Sequence, residues 1–206
     1  MTGLSDGPLS NPPAGSAGGP STGSAGDLPS ASPGASSTRA AWARERILSL
    51  TDLQVRLRAL RAAGKRIVFT NGCFDLVHAG HATILEEAAA LGDVLVVGLN
   101  TDESVRRLKG AGRPIVPQEP RAMLLAALRA VDYVVLFGED TPAGLIEAIV
   151  PHVLVKGADY RREDVVGADV VEAAGGEVVT LALVPGFSTS DLIRRVRGEG
   201  PAGGSP

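Results

Sequence analysis

The chain has 206 residues, 44% of them hydrophobic and 21% charged, and carries a formal net charge of −3. This mildly acidic balance suits a globular chain and excludes a protein that coats nucleic acid, whose electrostatic footprint would be basic. One cysteine excludes an internal disulfide, no apolar run reaches the roughly 18 to 20 residues of a membrane helix, and Met1 to Ser10 lack the features of a secretory signal, so a cytoplasmic protein with no membrane partner is expected.

From Met1 to Thr38, 31 of 38 residues are Gly, Pro, Ala, Ser or Thr, with no aromatic or β-branched aliphatic side chain. Such a segment cannot bury enough apolar area to offset its ordering entropy. Residues 1–40 are therefore expected to be a disordered leader and 198–206 a disordered tail. Residues 41–197 are of a size for one domain with one core.

Within that domain, Thr51 can cap a helix that carries Leu53, Val55, Leu57 and Leu60 and stops at Gly64. A strand follows over Arg66 to Asn71, then a helix from Gly80 to Leu91 ended by Gly92, and a second strand over Asp93 to Leu99. Glu103 to Lys109 reads as a short helix, with Asp102 as its candidate cap. Gly110 to Glu119 reads as a loop, and Pro120 to Ala130 as a helix opened by its proline. Three more strands are expected at Tyr133 to Phe137, His152 to Lys156 and Glu177 to Leu183. Helices at Pro142 to Ile149, Arg162 to Ala174 and Ser188 to Val196 lie between or after them. Strands apolar on both faces and separated by helical runs imply βαβ crossovers. The expected fold is a single Rossmann-like, doubly wound α/β domain with a five-stranded parallel sheet. In such sheets ligands bind beyond the carboxyl ends of the strands, near the switch in strand order.

The first strand exits into Thr70-Asn-Gly-Cys-Phe-Asp-Leu-Val-His-Ala-Gly-His81. Three-residue spacing puts His78 and His81 on one side of a helix entry, where free N–H groups and positive partial charge favour anions. Gly72 and Gly80 would let backbone amides approach closely. Together these describe a cradle for a polyphosphate. Two other readings of the same residues stay open: ordinary polar side chains at a helix start, or a metal site from Cys73, Asp75, His78 and His81, although no recognised zinc spacing is present. Nothing marks Cys73 as an activated nucleophile. A dinucleotide site of the NAD type is excluded, because no Gly-x-Gly-x-x-Gly follows the strand.

The stretch Gly72 to His81 resembles the HxGH signature of the cytidylyltransferase-like nucleotidyltransferases, and within them the adenylyltransferases of ADP-heptose synthesis. The resemblance runs from Ala63 to Arg197 and rests on further separated blocks. These are Asn100-Thr-Asp102, Arg106 to Gly110 with Arg113-Pro-Ile115, Arg121, Arg129-Ala-Val-Asp132, Val155 to Tyr160, and Phe187-Ser-Thr-Ser190. It implies transfer of AMP from ATP, with Mg²⁺, to a sugar 1-phosphate, D-glycero-β-D-manno-heptose 1-phosphate. By that resemblance His78, His81 and Lys109 act on the reacting phosphates. Thr70, Asn71, Gly72, Cys73, Phe74 and Gly80 lie along the nucleotide, and Lys156, Gly157 and Asp159 border the base. Ser188, Thr189 and Ser190 cap the triphosphate, while Asp75, Asp102 and Arg129 face the acceptor. No metal ligand of the protein's own is implied; a homo-oligomer is.

Read without the resemblance, the Ser/Thr run is equally a helix cap, Arg129 a solvated helix face, and Arg106, Arg107 and Lys109 a charged stripe. The chain departs from the family pattern in two places. A low-complexity leader stands where members often carry a sugar kinase, so a separate kinase is expected to make the sugar 1-phosphate. The hydroxyl run is Ser-Thr-Ser rather than Ser-Thr-Thr, and Phe187 precedes it. Three competing functions remain: a cytidylyltransferase acting on glycerol 3-phosphate or a similar alcohol phosphate, a class I aminoacyl-tRNA synthetase fragment, and a nucleotide-binding module without catalysis. The second would need a Lys-Met-Ser-Lys-Ser-like loop that the chain lacks, and the third would have no use for His78, His81 and Lys109 together.

Overall fold

Continuous burial on both faces is the physical reason for the central strands: every residue of Val94–Asn100 is buried, as a parallel strand covered by helices on each side requires. The computed structural model of the chain describes residues 41–157, 164–182 and 184–198. The expected leader, the segment with Asp159, the first residues of the helix expected from Arg162, and the tail beyond Gly198 lie outside the described residues. The strands are β1 (Ile47–Leu48), β2 (Ile67–Gly72), β3 (Val94–Asn100), β4 (Tyr133–Phe137), β5 (Val153–Gly157) and β6 (Glu177–Leu181). All pairings are parallel, in the order β1-β4-β3-β2-β5-β6.

The sheet therefore has six strands and not the expected five. The additional strand is β1, which pairs Ile47 with Val134 and Leu48 with Val135 at the sheet edge. Two residues are too few to produce an alternating pattern, and Ile47 and Leu48 run directly into a helix. The Arg46 guanidinium, which donates to the Val131 carbonyl at 2.7 Å, holds this segment in place.

Seven α-helices and a short 3-10 helix at Arg44–Arg46 complete the described fold; the α-helices are α1 (Leu50–Ala62), α2 (Ala79–Ala89), α3 (Asp102–Lys109), α4 (Gln118–Ala127), α5 (Ala143–Ile149), α6 (Ala168–Ala173) and α7 (Thr189–Val196). Two caps differ from expectation. Ser49, not Thr51, accepts the first-turn amide of α1, from Asp52 at 3.1 Å, and Thr101, not Asp102, caps α3 through Ser104. Helix α4 starts two residues before Pro120, and α6 starts only after Gly167. One face of the sheet packs Phe69 and Leu154 against Leu53, Leu57, Ile146 and Val171. The other packs Val68, Val97 and Leu99 against Leu85, Ala88, Ala122 and Leu125. No helix among the described residues is long and apolar enough to cross a membrane.

Polar side chains fix the amino-terminal edge of the sheet. Asp93 accepts the Arg66 amide at 2.8 Å and Asp132 the Leu95 amide at 2.8 Å. His152 joins β5 to β2 twice: its Nδ1 accepts the Ile67 amide and its own amide donates to the Ile67 carbonyl, each at 2.9 Å. Burial, followed by Arg61 and Arg66, pushes the His152 imidazole below its ordinary value, which preserves the neutral acceptor. Replacing His152 with Leu leaves a buried amide unpaired and is expected to cost about 1–3 kcal/mol. Urea unfolding measures this, and an unchanged midpoint would show the bond to be dispensable.

Candidate active site

At the opposite edge, beyond the carboxyl end of β2, the chain makes a turn that no regular element explains. Phe74 and Leu76 both adopt left-handed backbone conformations, with φ of 43° and 49°. For non-glycine residues such angles cost on the order of 1–3 kcal/mol each. Between them, the buried carboxylate of Asp75 provides the compensation. Its Oδ2 accepts from Arg113 Nε at 2.5 Å and from the Ile115 amide at 2.8 Å, and its Oδ1 from the Val116 amide at 2.9 Å. Burial alone would raise this carboxyl, but the two amides and the guanidinium overcome it and hold it below the ordinary carboxylate value.

The turn delivers His78 to the start of α2. There its Nδ1 accepts the His81 amide at 3.4 Å, making the imidazole the helix cap. Because Nδ1 accepts, the neutral ring carries its proton on Nε2, where it can donate. His81 stacks on it with centroids 3.8 Å apart, and Phe74 closes the other side of His81 at 5.2 Å. Burial pushes the His81 imidazole down to about 4, with His78 lowering it further and Asp75 opposing; burial also lowers His78. Both rings are thus neutral hydrogen-bonding groups near pH 7. His81 Nδ1 is buried with no partner among the described residues. Gly80 is required by packing as well as by any approaching ligand, since a Cβ there would lie 2.9 Å from Phe187 Cβ and 3.1 Å from His78 Nδ1.

A cavity of about 590 Å³ opens over the ends of β2, β3 and β5. Of the residues singled out from the sequence, Thr70, Asn71, Gly72, Cys73, Phe74, Asp75, His81, Lys109, Lys156, Gly157, Ser188, Thr189 and Ser190 line it. The chain has three lysines, and two of them are on its walls. Lys109 ends α3 with its side chain exposed, whereas Lys156 on β5 reaches across the switch in strand order to donate to Asn71 Oδ1. Helix α7 turns its start toward the same space: Ser188 caps it, and the Thr189 hydroxyl donates to the Asp75 carbonyl at 2.9 Å. The Cys73 thiol is pushed up by burial, against the pull of Lys109, Arg121 and Arg113, which disfavours the thiolate a nucleophile would need.

Four expectations fare differently. His78 and Gly80 are not among the residues that line the cavity, although His78 stacks on His81, which does line it. The Asp102 carboxylate, expected to face the acceptor, accepts from the buried Arg121 at 2.6 Å instead. Arg129 is exposed in the turn before β4, at the amino-terminal edge of the sheet, so within this chain it does not reach the cavity. Asp75 does line the cavity, but both of its oxygens are engaged by the 113–116 segment, which leaves the four-residue metal alternative without one of its ligands. Among the described residues no three His, Cys, Asp or Glu side chains converge into a metal-binding group. Asp159 lies outside the described residues.

The most consequential residue that sequence reasoning left without a role is Arg121. Its guanidinium, with 0% exposure, donates to the carbonyls of Cys73 at 2.5 Å, Asn100 at 2.9 Å and Val116 at 2.9 Å as well as to Asp102. The available signal was its place on the apolar face of α4, one turn before Leu125 and next to Ala122. Arg113 and the Asp140–Pro142 wall, which also line the cavity, were likewise without an assigned role.

A family model described as cytidylyltransferase-like matches residues 69–195. Among curated proteins, the bifunctional protein HldE of Pelobacter propionicus is 57% identical over 144 residues, covering 70% of this chain and 30% of that protein. The bifunctional protein HldE of Nitrobacter hamburgensis is 57% identical over 157 residues, 76% of this chain and 32% of its own. The chain thus spans about a third of the length of the curated relatives it matches. Among solved structures, a pantoate-beta-alanine ligase from Francisella tularensis, complexed with beta-gamma ATP and beta-alanine, superposes with a TM-score of 0.50 at 12% identity. It covers 73% of this chain and 76% of that one, a likeness that shows the fold alone.

Two outcomes test the geometry. Arg121→Met strands the Asp102 carboxylate and three carbonyls, and is expected to destabilise the fold by about 3–5 kcal/mol in chemical denaturation. The unfolded chain binds a proton at His81 more readily than the folded one does. The stability linked to His81 is therefore complete above about pH 6.5 and lost as the pH falls toward 4. Urea midpoints measured from neutral to acid pH should fall, and fall less steeply in His81→Asn; parallel curves would place the titration elsewhere.

Proposed function

The chain belongs to the cytidylyltransferase-like nucleotidyltransferase family, and on that premise we propose that it transfers AMP from ATP to a sugar 1-phosphate. The acceptor in this reading is D-glycero-β-D-manno-heptose 1-phosphate, and the products are ADP-heptose and pyrophosphate. The observation that carries the proposal is the stacked, neutral His78–His81 pair at the start of α2, beside a cavity that also holds Lys109, Lys156 and the start of α7. The resemblance of the separated sequence blocks to the adenylyltransferases of ADP-heptose synthesis supports the choice of sugar and base.

In this mechanism the anionic phosphate oxygen of the acceptor attacks the α-phosphorus of ATP. The new O–Pα bond forms as the bond to the β-phosphate oxygen breaks, and the electron pair leaves with pyrophosphate. The acceptor oxygen is already ionised near neutral pH, so no general base is needed; alignment and charge stabilisation remain the protein's task. His81, which lines the cavity and is fixed between His78 and Phe74, donates toward the phosphates, and His78, outside the lining, donates from Nε2 to the part of the triphosphate that extends past His81. Lys109 supplies a mobile positive charge from the end of α3. Lys156 and Asn71, already joined, border the nucleotide where β2 and β5 part. The amides at the start of α7, aimed by the Thr189–Asp75 bond, complete the anion site. Mg²⁺ enters with the triphosphate as part of the substrate and offsets charge on its oxygens.

The test is pyrophosphate release with Mg²⁺, pairing ATP or CTP with heptose 1-phosphate or glycerol 3-phosphate. Turnover is expected only with ATP and the heptose, and His81→Ala should lower it by about a hundredfold, the scale for loss of one charge-stabilising donor. Turnover with CTP and glycerol 3-phosphate would replace both substrate assignments, and retention of activity within a few-fold would remove His81 from the mechanism.

A further inference from the structure

Four rings stand in a row at the start of α2. Phe187 faces His78 with centroids 6.2 Å apart and planes 24° apart. His78 stacks on His81 at 3.8 Å, and His81 meets Phe74 at 5.2 Å. The two outer rings come from opposite ends of the domain: Phe74 from the exit of β2, Phe187 from the turn before α7. Gly186, at φ of 80°, turns the chain so that Phe187 arrives over α2. The approach is close enough that only glycine fits beneath it, as the 2.9 Å separation between Phe187 Cβ and a Cβ built on Gly80 shows. Two residues later, Thr189 is bonded to the Asp75 carbonyl. The turn before α7 is therefore fastened on both sides of Ser188, the residue that caps the helix.

We propose that Phe187 is a positioning residue that holds the His78 imidazole in its donating orientation and seats the start of α7 on the β2 exit. Among the described residues His78 has one polar restraint on its ring, the 3.4 Å bond from the His81 amide to Nδ1. Rotation about its Cβ–Cγ bond is opposed by the His81 ring stacked 3.8 Å away and by the near-parallel Phe187 ring 6.2 Å away. Without Phe187 the imidazole is more open to water. The Phe187 ring is itself 46% exposed, so its removal opens the stack without hollowing the core. Among the described residues the carboxylate that acts on His81 is Asp75, already held by Arg113.

The experiment compares Phe187→Tyr, Phe187→Leu and Phe187→Ala with the parent protein by two readouts. Imidazole NMR titration of the ligand-free protein should show the His78 midpoint unchanged in the Tyr variant and raised toward about 6.5 in Leu and Ala, as its ring becomes hydrated. Turnover, which rests on the proposed reaction, should fall by about tenfold or more in Phe187→Ala, with a raised KM for the nucleotide and an unchanged KM for the acceptor. An unmoved midpoint in Phe187→Ala, or full recovery of both readouts by Leu, would overturn the proposal. The titration needs no nucleotide, so its outcome is independent of which substrates the protein uses.

Discussion

A guanidinium sealed from water must find a partner for nearly every N–H it carries, and Arg121 finds them on three separate segments. The carbonyls of Cys73, Asn100 and Val116 and the carboxylate of Asp102 all converge on it. Burying this charge is expensive, and the resulting bonds do not by themselves argue for high stability. They do set geometry: the exits of β2 and β3 are brought to one depth, and the segment before α4 is drawn under them. Asp75 then builds outward from this base by collecting Arg113 and two further amides, which stabilises the left-handed turns on either side of it. The cavity floor is thus a set of strand ends tied together before any ligand is considered.

Charge is distributed over this framework with a clear division. The histidines lie within a packed ring stack, where burial holds both below the ordinary imidazole value. Lys109 stands at the exposed end of a short helix, and Lys156 reaches in from β5. Neutral donors at fixed positions and a cation on a mobile side chain serve different needs in phosphate chemistry. In the proposed reaction the former would define direction, and the latter would follow charge as it moves toward the leaving group.

The parallel α/β arrangement was legible because its signal is repeated: β-branched runs apolar on both faces, each followed by a helical pattern. Strand β1 was not, because two residues carry no period. The caps of α1 and α3 were misplaced by one or two positions because hydroxyl or carboxylate side chains lie close together at both helix starts, and local sequence does not choose between them. The histidine pair was readable because His78, Gly80 and His81 are close in sequence. Arg121 and Asp75 were harder, since Arg121 meets Cys73 across 48 residues and Asp75 meets Arg113 across 38. The same distance effect misled the expectation for Asp102, whose side chain is turned inward by Arg121. Arg129 follows α4 closely, yet the chain has by then returned to the far edge of the sheet.

The brevity of β1 also bears on behaviour in concentrated solution. An edge strand leaves a row of unpaired backbone groups that another chain can adopt, and long, flat, apolar edges seed aggregation. Here one border of the sheet offers only Ile47 and Leu48 before Ser49 begins a helix, too short a template for a foreign strand to register against. The opposite border, β6, opens with Glu177 already paired to Arg66, so a charge guards its first position. A sheet whose interior is almost entirely aliphatic is in this way kept from growing sideways into a neighbour.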